Sequence, residues 1–367
     1  MNTNKSYKSI LERFKKAIRY VQGESVYEAS KRTGISYSKI IQLNANENLF
    51  IPLELTLSIA RKAIEEIDLR LYPTGLEEVY EKLSRYLGVK SECILLGFGS
   101  DQLIDLLIAM FGREGIVTIH PTYTYYPSRC ELYNIPYRYV MLDENLKVNM
   151  NELYRLMEKS SLLILCNPNN PIGHTISEDF VRALAERFKG IVLIDEAYAE
   201  FSNVQLHKLT QELDNVIALR TFSKAFGAAG IRLGYLIGPV EIVKVVEKFQ
   251  FPDPITSFSL KYASITLDMI DKFKAIWEEI KNVREWFYNK LSKIESIKVY
   301  PSQANFVSFG VQVDSDKLYD ALLREGFLVR IFKDTLGFKS FARVTLAPRA
   351  ILEQFLNSLN KILSTIS

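Results

Sequence analysis

Short continuous runs of apolar residues alternate with amphipathic segments through the middle of the chain. Continuous apolar runs are typical of strands that are buried on both faces, and the amphipathic segments between them are typical of helices. The pattern therefore predicts an α/β fold with a mostly parallel central sheet covered on both sides. The predicted strands cover residues 93–97, 115–119, 161–166, 191–194, 216–219 and 233–237, and a helix is predicted over 101–111.

The pattern changes on both sides of this region. One face of an earlier helix, which we expect to be buried, is marked by four apolar residues, Leu57, Ala60, Ile64 and Ile67. Residues 257–294 are helical in character, and strand-like runs follow at 305–309, 327–331 and 342–346 before a final helix. These features predict a large domain over 50–255, a smaller α+β domain over 256–367, and an N-terminal segment, 1–49, that packs with the smaller domain.

Composition and charge narrow the functional classes. The 367 residues include 46 basic and 43 acidic ones, and the net charge of +3 gives no support for nucleic-acid binding. No run reaches the ~18 apolar residues of a membrane span, and residues 1–20 lack the apolar stretch of a signal peptide. The three cysteines are isolated and the three histidines lack metal-binding spacing. We therefore expect a cytoplasmic protein without a metal site that acts on small charged molecules.

The most informative segment runs from Val216 to Tyr235. It places Lys224 just after an apolar strand, with Ser223 before it and Arg232 shortly after it. A lysine that attacks a carbonyl needs surroundings that suppress its charge, and a serine and an arginine can hold an anion beside it. Together they indicate a lysine that binds a cofactor covalently next to a phosphate site, the arrangement that pyridoxal 5′-phosphate (PLP) requires.

Acidic and phenolic groups end a neighbouring strand. Asp195 can hold a protonated ring nitrogen there, and Tyr198 can form a hydrogen bond with an oxygen of the same ring. One alternative is a helix N-cap at Asp195 with Glu196 in solvent. Another is a magnesium-binding pair, which needs a GxxxxGK[ST] loop that this chain lacks.

Two loops complete the predicted ligand site. The loop 166–173 is stiffened by two prolines and can direct the amide of Asn170 at a ligand, although a plain polar turn has a similar composition. Gly99 and Ser100 open a helix, where backbone N–H groups attract anions. Asp101 either belongs to this anion site or is the N-cap of the helix.

Aromatic and basic residues at later strand ends are further candidates. Tyr123 is placed to stack on a flat ring, although any one of 20 tyrosines carries little weight alone. His120, close to it, is expected to be a buried histidine with satisfied hydrogen bonds. Arg343 lies in a late strand and can clamp a carboxylate or phosphate, whereas Arg330, considered alone, is more typical of a solvent-facing charge.

Taken in order, these segments resemble the fold-type I PLP-dependent aminotransferases. The resemblance covers most of the chain and rests on Asn-Pro-Asn-Asn-Pro-x-Gly at 167–173, Asp-Glu-Ala-Tyr at 195–198 and Ser-Lys-x-Phe-x-x-x-Gly-x-Arg at 223–232. Within that family, segments such as 41–48 and 71–75 are most similar to the histidinol-phosphate aminotransferases. The resemblance implies PLP, the substrates histidinol phosphate and glutamate or 2-oxoglutarate, and a homodimer with shared active sites.

The resemblance also assigns roles to individual residues. Lys224 would bind the cofactor covalently, Asp195 would pair with its ring nitrogen, and Tyr198 would complete the catalytic set. The cofactor would be held by Gly99, Ser100, Asp101, Tyr123, Asn170, Thr221, Ser223 and Arg232, and by Tyr72 of the neighbouring subunit. The substrate would be bound by Arg343, Arg330 and Asn46.

Three departures from the family pattern bear on the substrate. Ile172 stands where threonine is usual, the segment 46–50 lacks a following proline, and 344–348 replaces a glycine-containing turn. An aromatic or broad-range aminotransferase and an amino-acid-phosphate decarboxylase therefore remain alternatives. A non-catalytic PLP-binding regulator is a further one, but it needs a DNA-binding segment that we do not expect in the first 44 residues.

Overall fold

The structure is a computed structural model that describes residues 7–15, 20 and 23–366. Parts of the predicted N-terminal segment, namely 1–6, 16–19, 21 and 22, lie outside the described residues, as does 367. The helices are α1 (Tyr7–Lys15), α2 (Val26–Thr33), α3 (Leu53–Glu65), α4 (Leu76–Leu87), α5 (Gly99–Phe111), α6 (Tyr125–Tyr133), α7 (Met150–Met157), α8 (Glu178–Arg187), α9 (Val240–Glu247), α10 (Ser257–Asp268), α11 (Ile270–Leu291), α12 (Ser315–Arg324) and α13 (Arg349–Ile366). The strands are β1 (Ile41–Leu43), β2 (Ile94–Phe98), β3 (Ile116–His120), β4 (Tyr137–Met141), β5 (Leu162–Cys166), β6 (Ile191–Asp195), β7 (Val216–Thr221), β8 (Leu233–Ile237), β9 (Ile297–Tyr300), β10 (Phe306–Val311), β11 (Phe327–Thr335) and β12 (Phe338–Thr345).

The larger sheet has seven strands in the order β2-β8-β7-β6-β5-β3-β4. Its neighbours β7, β6, β5, β3 and β4 are parallel, whereas β8 runs antiparallel to both β7 and β2. The predicted α/β fold with a mostly parallel sheet is therefore confirmed. Since β2 runs in the same direction as β7, the carboxyl ends of six strands and the start of β8 meet at one edge.

Both faces of this sheet are buried, which explains why its strands are continuous apolar runs. Along β5, Leu162 and Ile164 pack with α5, while Leu163 and Leu165 face the opposite hydrophobic cluster. Side chains alternate between the two faces of a strand, so a strand covered on both sides needs apolar residues at every position.

Two features of the structure differ from the predicted pattern. The edge strand β4 was missed, because exposed Tyr139 and Met141 interrupt its apolar character. Helix α3 buries Ile59 and Ala63, whereas Leu57 and Ile64 of the predicted face are 40% and 47% exposed. Of the predicted face, Ala60 packs partly against the core, while Leu57 and Ile64 lie largely in solvent.

The smaller sheet has five strands in the order β1-β11-β12-β10-β9. Strand β1 pairs parallel with β11, while β11, β12, β10 and β9 pair antiparallel. The N-terminal strand therefore joins a sheet formed otherwise by the last third of the chain, and it carries residues 44–47 towards the larger sheet. Among the described residues, no helix combines the length and the apolar character needed to cross a bilayer.

Candidate active site

The polar residues predicted from sequence gather where the strands of the larger sheet end. Asp195 ends β6, Thr221 ends β7, and Arg232 directly precedes β8. In an open α/β sheet, ligands bind in the crevice beyond the carboxyl ends of the strands. A cavity of about 290 Å³ lies at this edge.

The cavity brings together most of the predicted site. The predicted residues that line it are Asn46, Ser100, Asp101, Tyr123, Asn170, Asp195, Tyr198, Thr221, Ser223, Lys224, Arg232 and Arg343. They come from both sheets and from the segment after β1. Residues that were not predicted also line it, namely Tyr20, Asn44, Ala45, Glu47, Cys166, Ala197 and Ala229.

Lys224 presents its amine to the cavity in surroundings that disfavour its charge. Burial, together with the nearby Arg343 guanidinium, lowers the pKa of the amine to about 8. Its Nζ donates to the carbonyl of Ala45 at 2.7 Å. The neutral amine is therefore accessible close to neutral pH, which is the form that attacks a carbonyl or accepts a proton.

Asp195 is a buried carboxylate whose described partners are neutral donors. It accepts hydrogen bonds from the Tyr126 hydroxyl and from the backbone N–H of Ala197, at 3.1 Å for the latter. Burial raises the pKa of Asp195 to about 6, while both hydrogen bonds act in the opposite direction. A cation placed against this carboxylate would relieve the cost of burying its charge. The structure thus does not support the N-cap alternative, because β6 is followed by a loop and a short 3₁₀ turn.

A hydrogen-bond network fixes the side chains between the two sheets. The Tyr198 hydroxyl accepts from the amides of Asn46 at 2.9 Å and Asn170 at 3.4 Å. The Oδ1 atom of Asn170 accepts in turn from Nη1 of Arg343, and Nη2 of Arg343 donates to the carbonyl of Asn44. Because both lone pairs of the Tyr198 oxygen are used, its own hydrogen is left to donate into the cavity.

Arg343 is a buried cation with unused hydrogen-bonding capacity. It is 7% exposed, and its Nε is buried without a hydrogen-bond partner among the described residues. Burial lowers its pKa, and its guanidinium lies over the rings of Phe306 and Phe332, 5.5 and 5.8 Å from their centroids. A buried guanidinium with a free N–H suits a carboxylate or phosphate ligand.

Part of the cavity lining has the features of an anion site. Ser100 lies in the first turn of α5, and Ser223 and Arg232 line the same cavity. Gly99 does not line the cavity, but a Cβ at this position would lie 2.7 Å from Nη2 of Arg232, and its φ is +72°. The glycine therefore lets the guanidinium approach the helix N-terminus, where backbone N–H groups attract anions.

Tyr123 forms an aromatic wall with two other tyrosines. Its ring meets that of Tyr20 edge-on at 5.7 Å between centroids and stacks against Tyr125 at 5.8 Å. Its hydroxyl donates to Asp101 at 3.3 Å. Asp101 also pairs with Arg232 at 3.5 Å, so it links the aromatic wall to the anion site. The expected hydrogen bonding of His120 is also present, with Nε2 lying 2.6 Å from the Tyr137 hydroxyl.

Two predicted residues lie away from the cavity of this chain. Tyr72 is 83% exposed in the loop between α3 and α4. Arg330 faces Arg343 across β11 and β12, and it lies 5.5 Å from the centroid of the Phe332 ring that Arg343 also contacts. No cluster of possible metal ligands occurs in the part of the chain that is described.

Sequence reasoning missed Asn44, which lines the cavity, and Tyr126, which does not line it but bonds Asp195. Tyr126 bonds the Asp195 carboxylate, but nothing distinguishes it from the other tyrosines of the sequence. Asn44 and Ala45 contribute backbone carbonyls, which no residue type reveals. The resemblance of the segment 41–48 to the family, which had already pointed to Asn46, was the signal that this segment reaches the site.

Comparisons with known proteins agree with this geometry. Residues 38–359 match the family "Aminotransferase class I and II". The histidinol-phosphate aminotransferase of Caldanaerobacter subterraneus subsp. tengcongensis is 34% identical over 331 residues, which cover 88% of this chain and 93% of that protein.

Solved structures share the fold. The histidinol-phosphate aminotransferase of Clostridium acetobutylicum superposes with a TM-score of 0.81 at 27% identity, covering 89% of this chain and 100% of that one. The Sinorhizobium meliloti enzyme of the same name, in complex with pyridoxal-5′-phosphate, has a TM-score of 0.83 at 22% identity, covering 95% and 96% of the two chains.

Proposed function

Since this chain belongs to the class I and II aminotransferase family, we propose that it is a PLP-dependent enzyme that transfers the amino group of histidinol phosphate to 2-oxoglutarate. The observation that carries the proposal is the convergence of Lys224, Asp195 and Arg343 on one cavity. They provide an amine of lowered pKa, a buried carboxylate and a buried guanidinium. An amino-group transfer between two anionic substrates needs each of these.

The residues of the cavity fit PLP. Among the described residues, the buried Asp195 carboxylate accepts hydrogen bonds from neutral donors, and a protonated ring nitrogen would supply a cation beside it. Ser100, Ser223 and Arg232 offer donors for a phosphate, and Gly99 leaves room beside them. Lys224 would bind the cofactor covalently, and Tyr123 would face its ring.

The chain's own groups account for the proton transfers. When bound, PLP withdraws electrons from the bonds at the substrate's amine-bearing carbon. Lys224, once its nitrogen is free, would take the proton from that carbon and deliver it to the cofactor's C4′ carbon, and a pKa near 8 suits both transfers. Asp195 keeps a negative charge in place, and the Tyr198 hydroxyl has one hydrogen to donate to a ring oxygen.

Arg343 would hold the anionic group of each substrate. Histidinol phosphate carries a phosphate and 2-oxoglutarate carries carboxylates, and a guanidinium binds either at two points. Arg330, on the neighbouring strand, adds a second positive charge close to the first. The names of the curated relatives support histidinol phosphate over an aromatic amino acid as the donor.

The proposal includes a homodimer with shared active sites in the cytoplasm. Its support is an exposed apolar surface formed by α3 and the following loop, where Leu69, Leu71 and Tyr72 are 71%, 64% and 83% exposed. Leu57 and Ile64 of α3 are exposed as well. Several exposed apolar side chains within one short segment are typical of an interface, and a second copy would bring Tyr72 to its partner's cavity.

Substrate assays on the purified holoenzyme test the reaction. We expect glutamate formation from histidinol phosphate and 2-oxoglutarate, with a kcat/KM at least tenfold above that for phenylalanine. Borohydride reduction should leave the cofactor's mass on the peptide that contains Lys224, and Lys224→Met should abolish both results. Equal use of phenylalanine would favour a broad-range enzyme, and release of carbon dioxide from threonine phosphate would favour a decarboxylase.

Mixing two inactive variants tests the shared sites. If Tyr72 contributes to the active site of the neighbouring subunit, a heterodimer of Lys224→Met and Tyr72→Ala has one intact site. Random exchange then restores about a quarter of the wild-type sites. Tyr27→Ala, at another exposed tyrosine, is the control for Tyr72→Ala and should be active alone. A chain that sediments as a monomer, or a mixture that regains nothing, would contradict the shared dimer.

A further inference from the structure

A cluster of charged side chains is buried behind the active site. Arg220 lies in β7 next to Thr221, and Glu196 directly follows Asp195. Arg220 and Glu196 are 1% and 0% exposed and do not line the cavity, whereas their neighbours Thr221 and Asp195 do. The alternative that placed Glu196 in solvent is therefore wrong.

Arg220 is the centre of this cluster. Its Nε donates to Oε2 of Glu196 at 2.9 Å, and its Nη1 donates to Oε1 of Glu200 at 3.5 Å. Its Nη2 donates to Nδ1 of His207 at 2.8 Å and to Gln205 at 3.2 Å. Burial lowers the pKa of His207 to about 4, so its ring is neutral at pH 7 and can accept this bond. Every nitrogen of the guanidinium therefore has a partner, and the cation faces two carboxyl groups.

The stability of the fold alone does not explain a fully buried ion pair. The cost of removing both charges from water offsets most of their attraction, and replacing such a pair by apolar side chains is often neutral or stabilising. Removing one partner alone is strongly destabilising, because the other is left as an unpaired buried charge. The pair therefore selects one geometry of the two strands more than it stabilises them.

On one side, the pair fixes the backbone that follows Asp195. The N–H of Glu196 donates to the carbonyl of Leu219 at 2.8 Å, where β6 and β7 end. The two carboxylate oxygens of Glu196 then accept from Nε of Arg220 and from the N–H of Leu206 in the following loop. The residue next to Asp195 is thus held at three points, and so is the direction in which the Asp195 carboxylate enters the cavity.

On the other side, the pair fixes the turn that leads to Lys224. Thr221 directly follows Arg220, and its hydroxyl accepts from the N–H of Ser223 at 3.1 Å and donates to Oγ of Ser223 at 3.0 Å. Lys224 is the next residue. A shift of Arg220 along β7 would therefore move this hydrogen-bonded turn and the amine that follows it.

We propose that Glu196 and Arg220 are positioning residues of the active site, whose ion pair sets the placement of the Asp195 carboxylate relative to the Lys224 amine. The inference rests on the proposed use of PLP, since a cofactor that must meet both groups binds well only if their separation is fixed. Neither Glu196 nor Arg220 touches the ligand in this account.

Cofactor affinity and cofactor placement in three variants test the proposal. Arg220→Met and Glu196→Gln each break the pair, and we expect both to weaken PLP binding to the apoprotein about tenfold in equilibrium dialysis, because small displacements of groups that must meet one ligand are costly. Arg220→Lys keeps the charge but loses the fork of donors, and it should weaken binding about threefold. The visible circular dichroism per bound cofactor, which depends on how the ring is held, should differ from that of the wild type in all three.

Lys82→Met is the matched control. Lys82 of α4 has a side chain that is 12% exposed, and it pairs with Glu78 at 3.0 Å and with Asp268 of α10 at 2.6 Å. The substitution also removes a cation that faces two carboxylates, but away from the cavity. It should lower the free energy of unfolding in urea while leaving PLP affinity and the visible circular dichroism unchanged.

The outcomes separate this inference from the proposed function. If the wild type binds PLP but the Glu196 and Arg220 variants match it in affinity and dichroism, the pair is merely structural and the inference is wrong. An equal effect of Lys82→Met on the cofactor would overturn it too. If Arg220→Met does not fold, Arg220→Lys, which keeps the buried charge, decides by the same two measurements. A wild-type apoprotein that takes up no PLP would refute the proposed function itself, and this inference with it.

Discussion

Replacing Arg343 by lysine separates the charge of this residue from its shape. In the structure the guanidinium uses Nη1 and Nη2 to bond Asn170 and the carbonyl of Asn44, and Nε remains unpaired. A lysine keeps the positive charge but offers one compact head that cannot serve these acceptors and an anion at the same time. We expect Arg343→Lys to weaken substrate use while leaving cofactor binding intact.

The magnitude follows from the bonds that are lost. A hydrogen bond to a charged group contributes about 1.5–3 kcal/mol, and a two-point contact reduced to one point loses roughly one to two of them. A loss of about 3 kcal/mol corresponds to roughly a hundredfold fall in kcat/KM. Because Arg343 would hold the anionic group of both substrates, the fall should appear with histidinol phosphate and with 2-oxoglutarate alike.

Steady-state kinetics with each substrate varied in turn measure this effect, and the absorbance of the bound cofactor reports its binding. Arg343→Gln serves as the comparison variant that lacks the positive charge. Removing this charge should also raise the pKa of Lys224 above about 8. The acidic limb of its pH–rate profile, where activity rises as the Lys224 amine loses its proton, would then move to higher pH, whereas that of Arg343→Lys would not. If Arg343→Lys kept wild-type kcat/KM for both substrates, the role given to this guanidinium would be wrong.

Three further predictions concern the amine, the carboxylate and the anion site. Because the pKa of Lys224 is lowered to about 8 on folding, its protonated form is disfavoured in the native apoprotein. Raising the pH from 7 to 9 should therefore increase the free energy of unfolding of the wild type, relative to that of Lys224→Met, by about 1.4 kcal/mol in urea titrations. If this difference between the two proteins did not change with pH, the lowered pKa of Lys224 would be contradicted. Tyr126→Phe removes a hydrogen bond that lowers the pKa of Asp195, so the acidic limb of the pH–rate profile should move to higher pH, and an unmoved limb would show that the bond is unimportant. Gly99→Ala places a methyl group against Arg232 at a residue with positive φ. It should weaken PLP binding about tenfold in equilibrium dialysis. An unchanged affinity would mean that the Arg232 guanidinium can move away from the methyl group without loss of binding.

The larger sheet could be predicted from sequence because its physical signature is strong. Strands buried on both faces leave continuous apolar runs, and all six predicted strands are present to within one or two residues of their ends. Strand β4 was not predicted, because an edge strand needs apolar residues at fewer positions. Its first three residues, Tyr137, Arg138 and Tyr139, form no continuous apolar run. The burial of α3 was assigned to the wrong stripe, because periodicity shows that a face is apolar but not what covers it.

The site was predictable where side chains follow buried strands directly. Asp195, Thr221 and Lys224 are of this kind, since the carboxyl ends of parallel strands must meet at one edge. Tyr126 lies in helix α6, beyond the loop that follows β3, and acts only through its hydrogen bond to Asp195, so its position relative to a strand end does not reveal it. The carbonyl that receives the Lys224 amine belongs to Ala45, whose side chain gives no hint of this role.

The bond between Arg343 and the carbonyl of Asn44 joins residues 299 positions apart. A nascent polypeptide therefore lacks one wall of the pocket until almost all of it has left the ribosome, and contacts so distant along the chain form late in folding. The part of the pocket that receives the substrate would consequently be the last to form. Truncated chains that end before β12 would lack the guanidinium of Arg343 and could not hold a substrate anion there, however well the larger sheet had formed.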